Sequence, residues 1–286
     1  MEIEHREVYM NKLQSRIIAV AVVAGIIFVM LVFAKMNQGQ ISISHQTENT
    51  SKDEAVRLWD LAVAAKGGRE KLYSIQNMVG SISSEYRFEG SKIKSRTEQF
   101  VVFPNKEWSW DDDRPSVFGL RMTMYDWEKQ KQYNVLFRGE PFHGLVAMEK
   151  NVVDLGKMSW VANIFLETKY HKPVPQSVSK GKVDSKRVDI VQTILGDERI
   201  DFALDEMTHL PVKFTHYIHN LGTKPGDLFY EGFLTDYIDV QGIKMPRGSG
   251  KGNGKKTVFQ FNVEYNEEIF RTPPRFEVGP EAWKKR

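Results

Sequence analysis

Cysteine is absent from all 286 residues of the sequence. The fold therefore has no disulfide to stabilise it, and no thiol is present for lipid attachment or metal binding. A large excess of one charge is also missing, because 40 basic and 37 acidic residues leave a net charge of +3. Basic and acidic residues are interleaved instead of forming a basic patch, so nucleic acid is not expected as a partner.

Sequence signatures of catalysis are missing as well. The chain has no G-x-S-x-G, H-E-x-x-H or P-loop motif, and its glycine-rich stretch 248–256 is typical of a solvated hairpin loop. His216 and His219 are three residues apart in a predicted strand, which places them on opposite faces and disfavours a shared metal. The acidic run 111–113 is predicted to form an exposed turn. We expect no catalytic residue, metal or cofactor, although paired hydrolase carboxylates would leave no local signature.

One long apolar run is present, at residues 17–34 between Arg16 and Lys35. At about 1.5 Å per residue, its length is close to the hydrocarbon thickness of a bilayer. A cleaved signal peptide would end in small residues, whereas this run is followed by Lys35 and Met36. The pattern favours an uncleaved transmembrane anchor over a cleaved signal and over a buried core helix.

The flanking basic residues predict the orientation of this anchor. Arg6, Lys12 and Arg16 precede the run, and no lysine or arginine occurs in 36–51. Because basic residues stay on the cytoplasmic side, residues 1–16 are predicted to be cytoplasmic. The protein is then a single-pass protein of the inner (cytoplasmic) membrane, with its C-terminal domain in the periplasm or extracytoplasmic space. Residues 35–51 are polar and are predicted to form a flexible tether.

A first amphipathic helix is predicted just after the tether. Ser51 and Glu54 fit a capping box, and Gly67-Gly68 is a typical helix stop. The apolar residues between them fall within one stripe at helical spacing. These residues are Ala55, Val56, Leu58, Trp59, Ala62 and Val63.

Beyond this helix the hydrophobic period changes from 3.6 to 2, which is typical of β-strands. About eleven strands with short connections predict an antiparallel arrangement, interrupted by a second short helix within Lys157–Thr168. Apolar side chains on one face of several strands predict one large sheet with a single buried face, covered by the helices. The fold class is therefore mainly β (α+β), with a domain spanning 52–275 and a C-terminal tail at 276–286.

Three motifs resemble the outer-membrane lipoprotein-sorting proteins of the LolA/LolB type. The first is a helix ending in A-K-G-G-R-E-K-L at 65–72, followed by a strand that begins S-I-Q-N-M at 74–78. The second is the strand–turn–strand at 204–214, in which a turn precedes L-P-V. The third is the D-x-x-x-x-x-G-I-K-x-P pattern of a hairpin at 236–246. In this order they cover the predicted domain.

The resemblance implies a curved, half-open antiparallel barrel of about eleven strands, with two or more helices as a lid over an apolar cavity. In that family the cavity takes lipid or the acyl chains of lipoproteins. The expected function is therefore a membrane-anchored extracytoplasmic module that binds a lipid or lipoprotein acyl chain. Two alternatives stay open, namely a regulatory or sensor domain that binds a membrane partner protein and, less favoured, an enzyme.

Residues on three predicted elements are expected to line the cavity. In a half barrel the inner faces of the first and last long strands point toward one space. The alternative is that the same side chains form a dry core against the helices. The expected lining residues are Trp59 on the helix, Ile82, Tyr86 and Phe88 on the first strand, and Phe259, Phe261 and Val263 on the last.

Overall fold

The computed structural model describes most of the chain after the predicted tether. The described residues are 46–50, 52–88, 90–114, 119–126, 129, 131–138, 140–147, 164–218, 228–248, 256–270 and 279–285. The predicted anchor at 17–34 and residues 157–163 of the predicted second helix lie outside this set. None of the helices within the described residues has the length and apolar character needed to span a bilayer.

Fifteen strands and three short helical segments make up the described part of the chain. The helices are α1 (Lys52–Lys66), α2 (Arg69–Ser74) and a 3-10 helix, η1 (Glu267–Phe270). The strands are β1 (Gln46–Thr50), β2 (Asn77–Phe88), β3 (Ser91–Val102), β4 (Lys106–Asp112), β5 (Leu120–Asp126), β6 (Lys131–Arg138), β7 (Glu140–Ala147), β8 (Val174–Val183), β9 (Lys186–Leu195), β10 (Glu198–Asp205), β11 (Pro211–Ile218), β12 (Leu228–Phe233), β13 (Thr235–Val240), β14 (Ile243–Gly248) and β15 (Lys256–Phe261).

All strand pairings within these residues are antiparallel. Sheet A has the order β1-β8-β9-β10-β11-β12, sheet B has the order β15-β2-β3-β4-β5-β6-β7, and β13-β14 form a separate hairpin. Most neighbours are joined by short turns, as antiparallel pairing permits. In sheet B, β15 lies beside β2, so the last strand of the sheet pairs with its first. The fold is mainly β with few helices, as predicted.

The described residues contain four strands more than the predicted eleven: β1, β7, β14 and one that arises by division of a predicted strand. Two of these four differences have a clear physical reason. Gln46–Thr50, inside the predicted tether, pairs with the edge of β8; a polar segment can do this because an edge pairing uses only the backbone. The single strand predicted at 228–240 is divided into β12 and β13, and the division falls at Leu234, just before Asp236, whose φ is 53°.

The main core lies between α1 and the two sheets. Helix α1 packs on β8, β9 and β14. We call the face of each sheet that joins this core the helix-side face; in sheet A it carries Phe202 and Phe214, and in sheet B it carries Met78 and Val101. Phe202 also meets Trp59 of α1 edge to face, with ring centroids 5.2 Å apart.

The opposite face of sheet B, which we call the far face, is buried too. Phe100, Trp108 and Met122 of this face form a second core with Ile269 of η1 and with Trp283. Trp283 lies in the segment predicted as a C-terminal tail, and its ring stacks on Phe100 at 5.9 Å. The prediction of a single buried face was therefore wrong, because residues after β15 return to cover the second one.

Candidate functional site

The floor beneath α1 is apolar at its centre. The buried stripe of α1 consists of Ala55, Leu58, Trp59, Ala62 and Val63. It packs on buried residues of sheet A that include Val178, Val191 and Phe202. Val56, by contrast, lies on the outer side of the helix and is 41% exposed. Helix α1 therefore covers an apolar floor as a lid would, with one side of the helix in contact with it.

A buried carboxylate connects α1 to its neighbours. Glu167 is 2% exposed and accepts hydrogen bonds from the Nε1 of Trp59, the Nε of Arg69 and the hydroxyl of Tyr73, each at 2.8 Å. A buried carboxylate is stable only when its oxygens are satisfied in this way. Glu167 thus joins α1, α2 and the segment around 164–168 through one polar centre, which we call the Glu167 joint.

A buried lysine holds the C-terminal end of α1. Lys66 is 1% exposed, and its Nζ donates to the carbonyl oxygen of Ile164 at 2.6 Å and to that of Lys244 on β14. The Nζ also lies 5.2 Å from the ring centroid of Tyr237. Burial lowers the pKa of Lys66 to about 7. The charge of this side chain is therefore sensitive to pH near neutrality.

Two glycines then end α1 sharply. The N–H of Gly68 donates to the carbonyl of Val63 and that of Gly67 to the carbonyl of Ala64, the bonding pattern of a Schellman cap. Gly67 has φ 129° and Gly68 has φ 87°, which favour glycine. A Cβ at Gly67 would collide with the carbonyl oxygen of Gly242, so the end of the helix lies directly against the β13–β14 turn.

The helix-side face of sheet B becomes polar toward β5. Register places Glu107, Ser109 and Asp111 of β4 opposite Tyr125, Thr123 and Arg121 of β5, so all of them share one face. We call Glu107, Ser109, Asp111, Arg121 and Tyr125 the polar cluster. The sequence pattern that could have revealed it is the alternation Glu107-Trp108-Ser109-Trp110-Asp111, with polar residues on one face and tryptophans on the other.

Hydrogen bonds within the sheet order the polar cluster. Gln99 Nε2 donates to Glu107 at 2.6 Å, and Thr97 Oγ1 donates to Asp111 at 2.7 Å. Burial raises the pKa of the Asp111 carboxyl, which the charge of Arg121 partly counteracts. Burial also raises the pKa of Tyr125, with a further contribution from Glu107. This face therefore combines hydrogen-bonding and charged groups on β4 and β5 with the apolar residues Met78 and Val101 on β2 and β3.

The predicted exposed turn at 111–113 is incorrect. Asp111 and Asp112 are the last residues of β4, and Asp113 is 7% exposed with an ion pair to Arg121 at 2.9 Å. The charge density of the triplet suggested a loop, but an arginine on the neighbouring strand allows a carboxylate to be buried. The structure shows no cluster of three or more metal-ligating residues within its described residues.

The predicted lining residues are only partly brought together. Trp59, Phe259 and Phe261 are all buried in the main core. Ile82 is half-buried and pairs with Thr257 of β15, so it lies on the same helix-side face as Phe259. Residues 86 and 88 lie on β2, but their side chains are outside the described set, so the predicted contribution of Tyr86 and Phe88 stays a prediction.

Val263 does not lie with Phe259 and Phe261 as the alternation predicted. It packs against the second core, on the far face. The reason is Asn262, whose φ of 51° reverses the alternation between Phe261 and Val263. The Asn262 side chain stabilises this turn, because its Oδ1 accepts from the N–H of Gln76 at 2.7 Å. Asparagine is one of the few residue types that tolerate this conformation.

Comparison with known proteins finds similarity at the level of structure only. No protein-family model and no curated protein sequence matches the chain. A DUF1329 family protein from Desulfovibrio piger has a similar structure, with a TM-score of 0.47 and 13% identity over 78% of this chain and 98% of that one.

Two further solved structures carry the family name that the sequence motifs indicated. A LolA superfamily protein from Nitrosomonas europaea has a TM-score of 0.42 and 8% identity, over 76% of this chain and 97% of that one. An outer membrane lipoprotein-sorting protein domain from Vibrio parahaemolyticus has a TM-score of 0.40 and 12% identity, over the same shares of the two chains.

Proposed function

We propose that this chain is a membrane-anchored module outside the cytoplasm that binds the acyl chain of a lipid or lipoprotein between α1 and the sheets. The observation that carries the proposal is the contrast within α1. The helix rests on its floor through an apolar stripe, whereas Lys66 fixes its C-terminal end and Glu167 holds the indole N–H of Trp59 at the middle of the helix. An acyl chain can replace the apolar contacts of the stripe while the polar contacts keep the helix attached.

Replacing the contacts between α1 and sheet A by contacts with an acyl chain is energetically favourable. Contact between α1 and sheet A is apolar, and burying each CH2 group contributes about 0.8 kcal/mol. A long acyl chain therefore recovers much of the burial lost when the helix moves from residues such as Phe202. The curved half-barrel that the resemblance implies would provide the space for the chain on the helix-side face.

The polar cluster suits the other end of an amphiphile. It lies on the helix-side face of sheet B, the face that carries Met78 and Val101 next to α2 and α1. A ligand with an apolar chain and a polar head finds complementary surroundings for both parts along this face. A purely apolar ligand would not need carboxylates and an arginine on the same face.

Native mass spectrometry of the full chain, extracted in a mild detergent, tests the proposal. A retained lipid is expected as a discrete mass increment. Trp59→Ala should reduce the retained fraction strongly, because Trp59 lies at the centre of the stripe. Val56→Ala on the outer side of the same helix is the matched control and should retain lipid like the parent chain.

Urea unfolding of the same variants distinguishes a lid from a dry core. If α1 packs permanently as core, Trp59→Ala costs roughly 3–5 kcal/mol, as large-to-small core substitutions do. If α1 is a lid, the unfolding free energy of the lipid-free protein falls by less than this while lipid retention is lost. A loss of stability in the full range, without any retained lipid in the parent chain, contradicts the proposal. Copurification of a membrane protein instead would favour a partner-binding sensor domain.

A further inference from the structure

His216 is a buried histidine on the helix-side face of sheet A. It lies on β11 directly opposite Ile200 of β10, two residues along from Phe214, and both neighbours belong to the main core. The side chain is 3% exposed, and its Nε2 has no hydrogen-bond partner within the described part of the chain. An unsatisfied buried nitrogen costs stability, so its retention at this position requires an explanation.

Glu198 lies diagonally across from His216 on the same face. Its Oε2 is 3.9 Å from the Nε2 of His216, too far for a hydrogen bond. Burial lowers the pKa of His216 to about 4, so the imidazole is neutral at pH 7 and the two groups form no ion pair there. The neighbouring hydroxyl of Thr193 is already used, because it donates to the carbonyl of Ile200 at 2.8 Å.

The separation between these two atoms suits a bridging oxygen that both donates and accepts, such as that of a hydroxyl group or a water molecule. A hydroxyl oxygen about 2.8 Å from each atom can accept from an Nε2–H and donate to the carboxylate at once. A carboxylate has several acceptor sites, so Glu198 can accept this bond in addition to others. An ether or ester oxygen accepts but cannot donate, and an ammonium donates but cannot accept.

We infer that His216 and Glu198 form a binding site for a hydroxyl group carried by the amphiphilic ligand, at the end of the apolar floor under α1. This inference rests on the proposed function, because His216 and Glu198 become accessible to a ligand when α1 moves away from the floor that includes Ile200 and Phe202. The ligand class is thereby narrowed to amphiphiles with a free hydroxyl group.

Photolabelling of the full chain with two matched probes tests this inference. Both probes have the same long alkyl chain with a diazirine, and one ends in a hydroxyl group while the other ends in a methoxy group. Peptides of β10 and β11 are then analysed by mass spectrometry. The hydroxyl probe should label them about tenfold more than the methoxy probe, since two added hydrogen bonds together contribute about 1.4 kcal/mol or more.

Two variants test whether His216 and Glu198 cause the preference for the hydroxyl probe. In His216→Phe and in Glu198→Met the labelling ratio should fall to about one, with methoxy-probe labelling at least as high as in the parent chain. Using both variants keeps the test valid if one of them fails to fold. Equal labelling of the parent chain by the two probes overturns the hydroxyl site but leaves acyl binding supported. A preference that survives in a folded variant also overturns the site. Absence of labelling by either probe overturns the proposed function itself.

Discussion

At the scale of single residues, Lys66 carries a charge that depends on pH in an unusual range. Its ordinary pKa is 10.5, and burial lowers it to about 7 in the folded protein. Below pH 7 the lysine is charged in both the folded and unfolded states, so the cost of burying the charge is fully present. Above pH 7 the folded state loses the proton first, and the free energy of unfolding rises with pH up to the unfolded pKa.

Substituting Lys66 by methionine should remove this pH dependence. The parent chain should gain stability between pH 7 and pH 9 with a slope approaching about 1.4 kcal/mol per pH unit relative to Lys66→Met. The variant also loses the hydrogen bond to the Ile164 carbonyl, and this loss lowers its free energy of unfolding by an amount that does not change with pH. Urea unfolding of both proteins at half-unit pH intervals measures the difference. Parallel curves over this range would show that Lys66 keeps an ordinary pKa in the fold.

Single residues also mark where reasoning from sequence fails. The alternation along β15 correctly grouped Phe259 with Phe261. It also placed Val263 with them, because a strict alternation of side chains does not foresee that the positive φ of Asn262 turns Val263 to the other face. Likewise, three consecutive aspartates indicated a turn, because the arginine that pairs with Asp113 comes from another strand. The first error arises from one backbone conformation and the second from a side chain on the neighbouring strand.

At the scale of elements, local signals predicted the first helix accurately. The capping pattern and the glycine pair bound α1 at Lys52–Lys66, and the predicted stripe is its buried face except for Val56. Strands with clear alternation, such as β2 and β9, were predicted as well. The edge strand β1 was missed because pairing by backbone alone leaves no hydrophobic pattern.

The two glycines that end α1 allow a matched comparison. Gly67→Ala should destabilise the protein by about 3 kcal/mol or more, because its Cβ meets the backbone of Gly242 in addition to the cost of positive φ. Gly68→Ala should cost only about 1–2 kcal/mol, since nothing lies within 4 Å of its Cβ. Urea unfolding of both variants gives the two values. Equal losses would mean that the end of α1 does not lie against the β13–β14 turn.

At the scale of the whole molecule, composition and strand pattern predicted the class of fold but not its layering. The mainly β, antiparallel architecture followed from alternation and short connections. The second core on the far face was not predicted, because the residues that cover it, Ile269 and Trp283, follow β15 and were assigned to no packed element. Trp59, Phe259 and Phe261 lie in one core, as the sequence grouped them, and their role in lining a cavity stays a prediction. The polar cluster depends on the register of β4 and β5.

The orientation of the chain in the membrane is a further prediction at this scale. A reporter that is active only outside the cytoplasm, fused after Arg286, should be active, because basic residues precede the apolar run 17–34 and none follow it closely. A cytoplasmic reporter fused at the same position serves as the control and should be silent. Activity of the cytoplasmic reporter with silence of the other would reverse the assignment.

The pairing of β15 with β2 and the burial of Phe100 beneath Trp283 have a consequence for biogenesis. While the chain is being synthesised, β2 keeps an open edge and Trp108 stays exposed to solvent until the residues after β14 emerge. Such long-range closure is slow, and open edges with exposed aromatic surface attract other chains. The nascent domain therefore passes through an aggregation-prone interval, and its yield should depend on the chaperones that it meets while it folds.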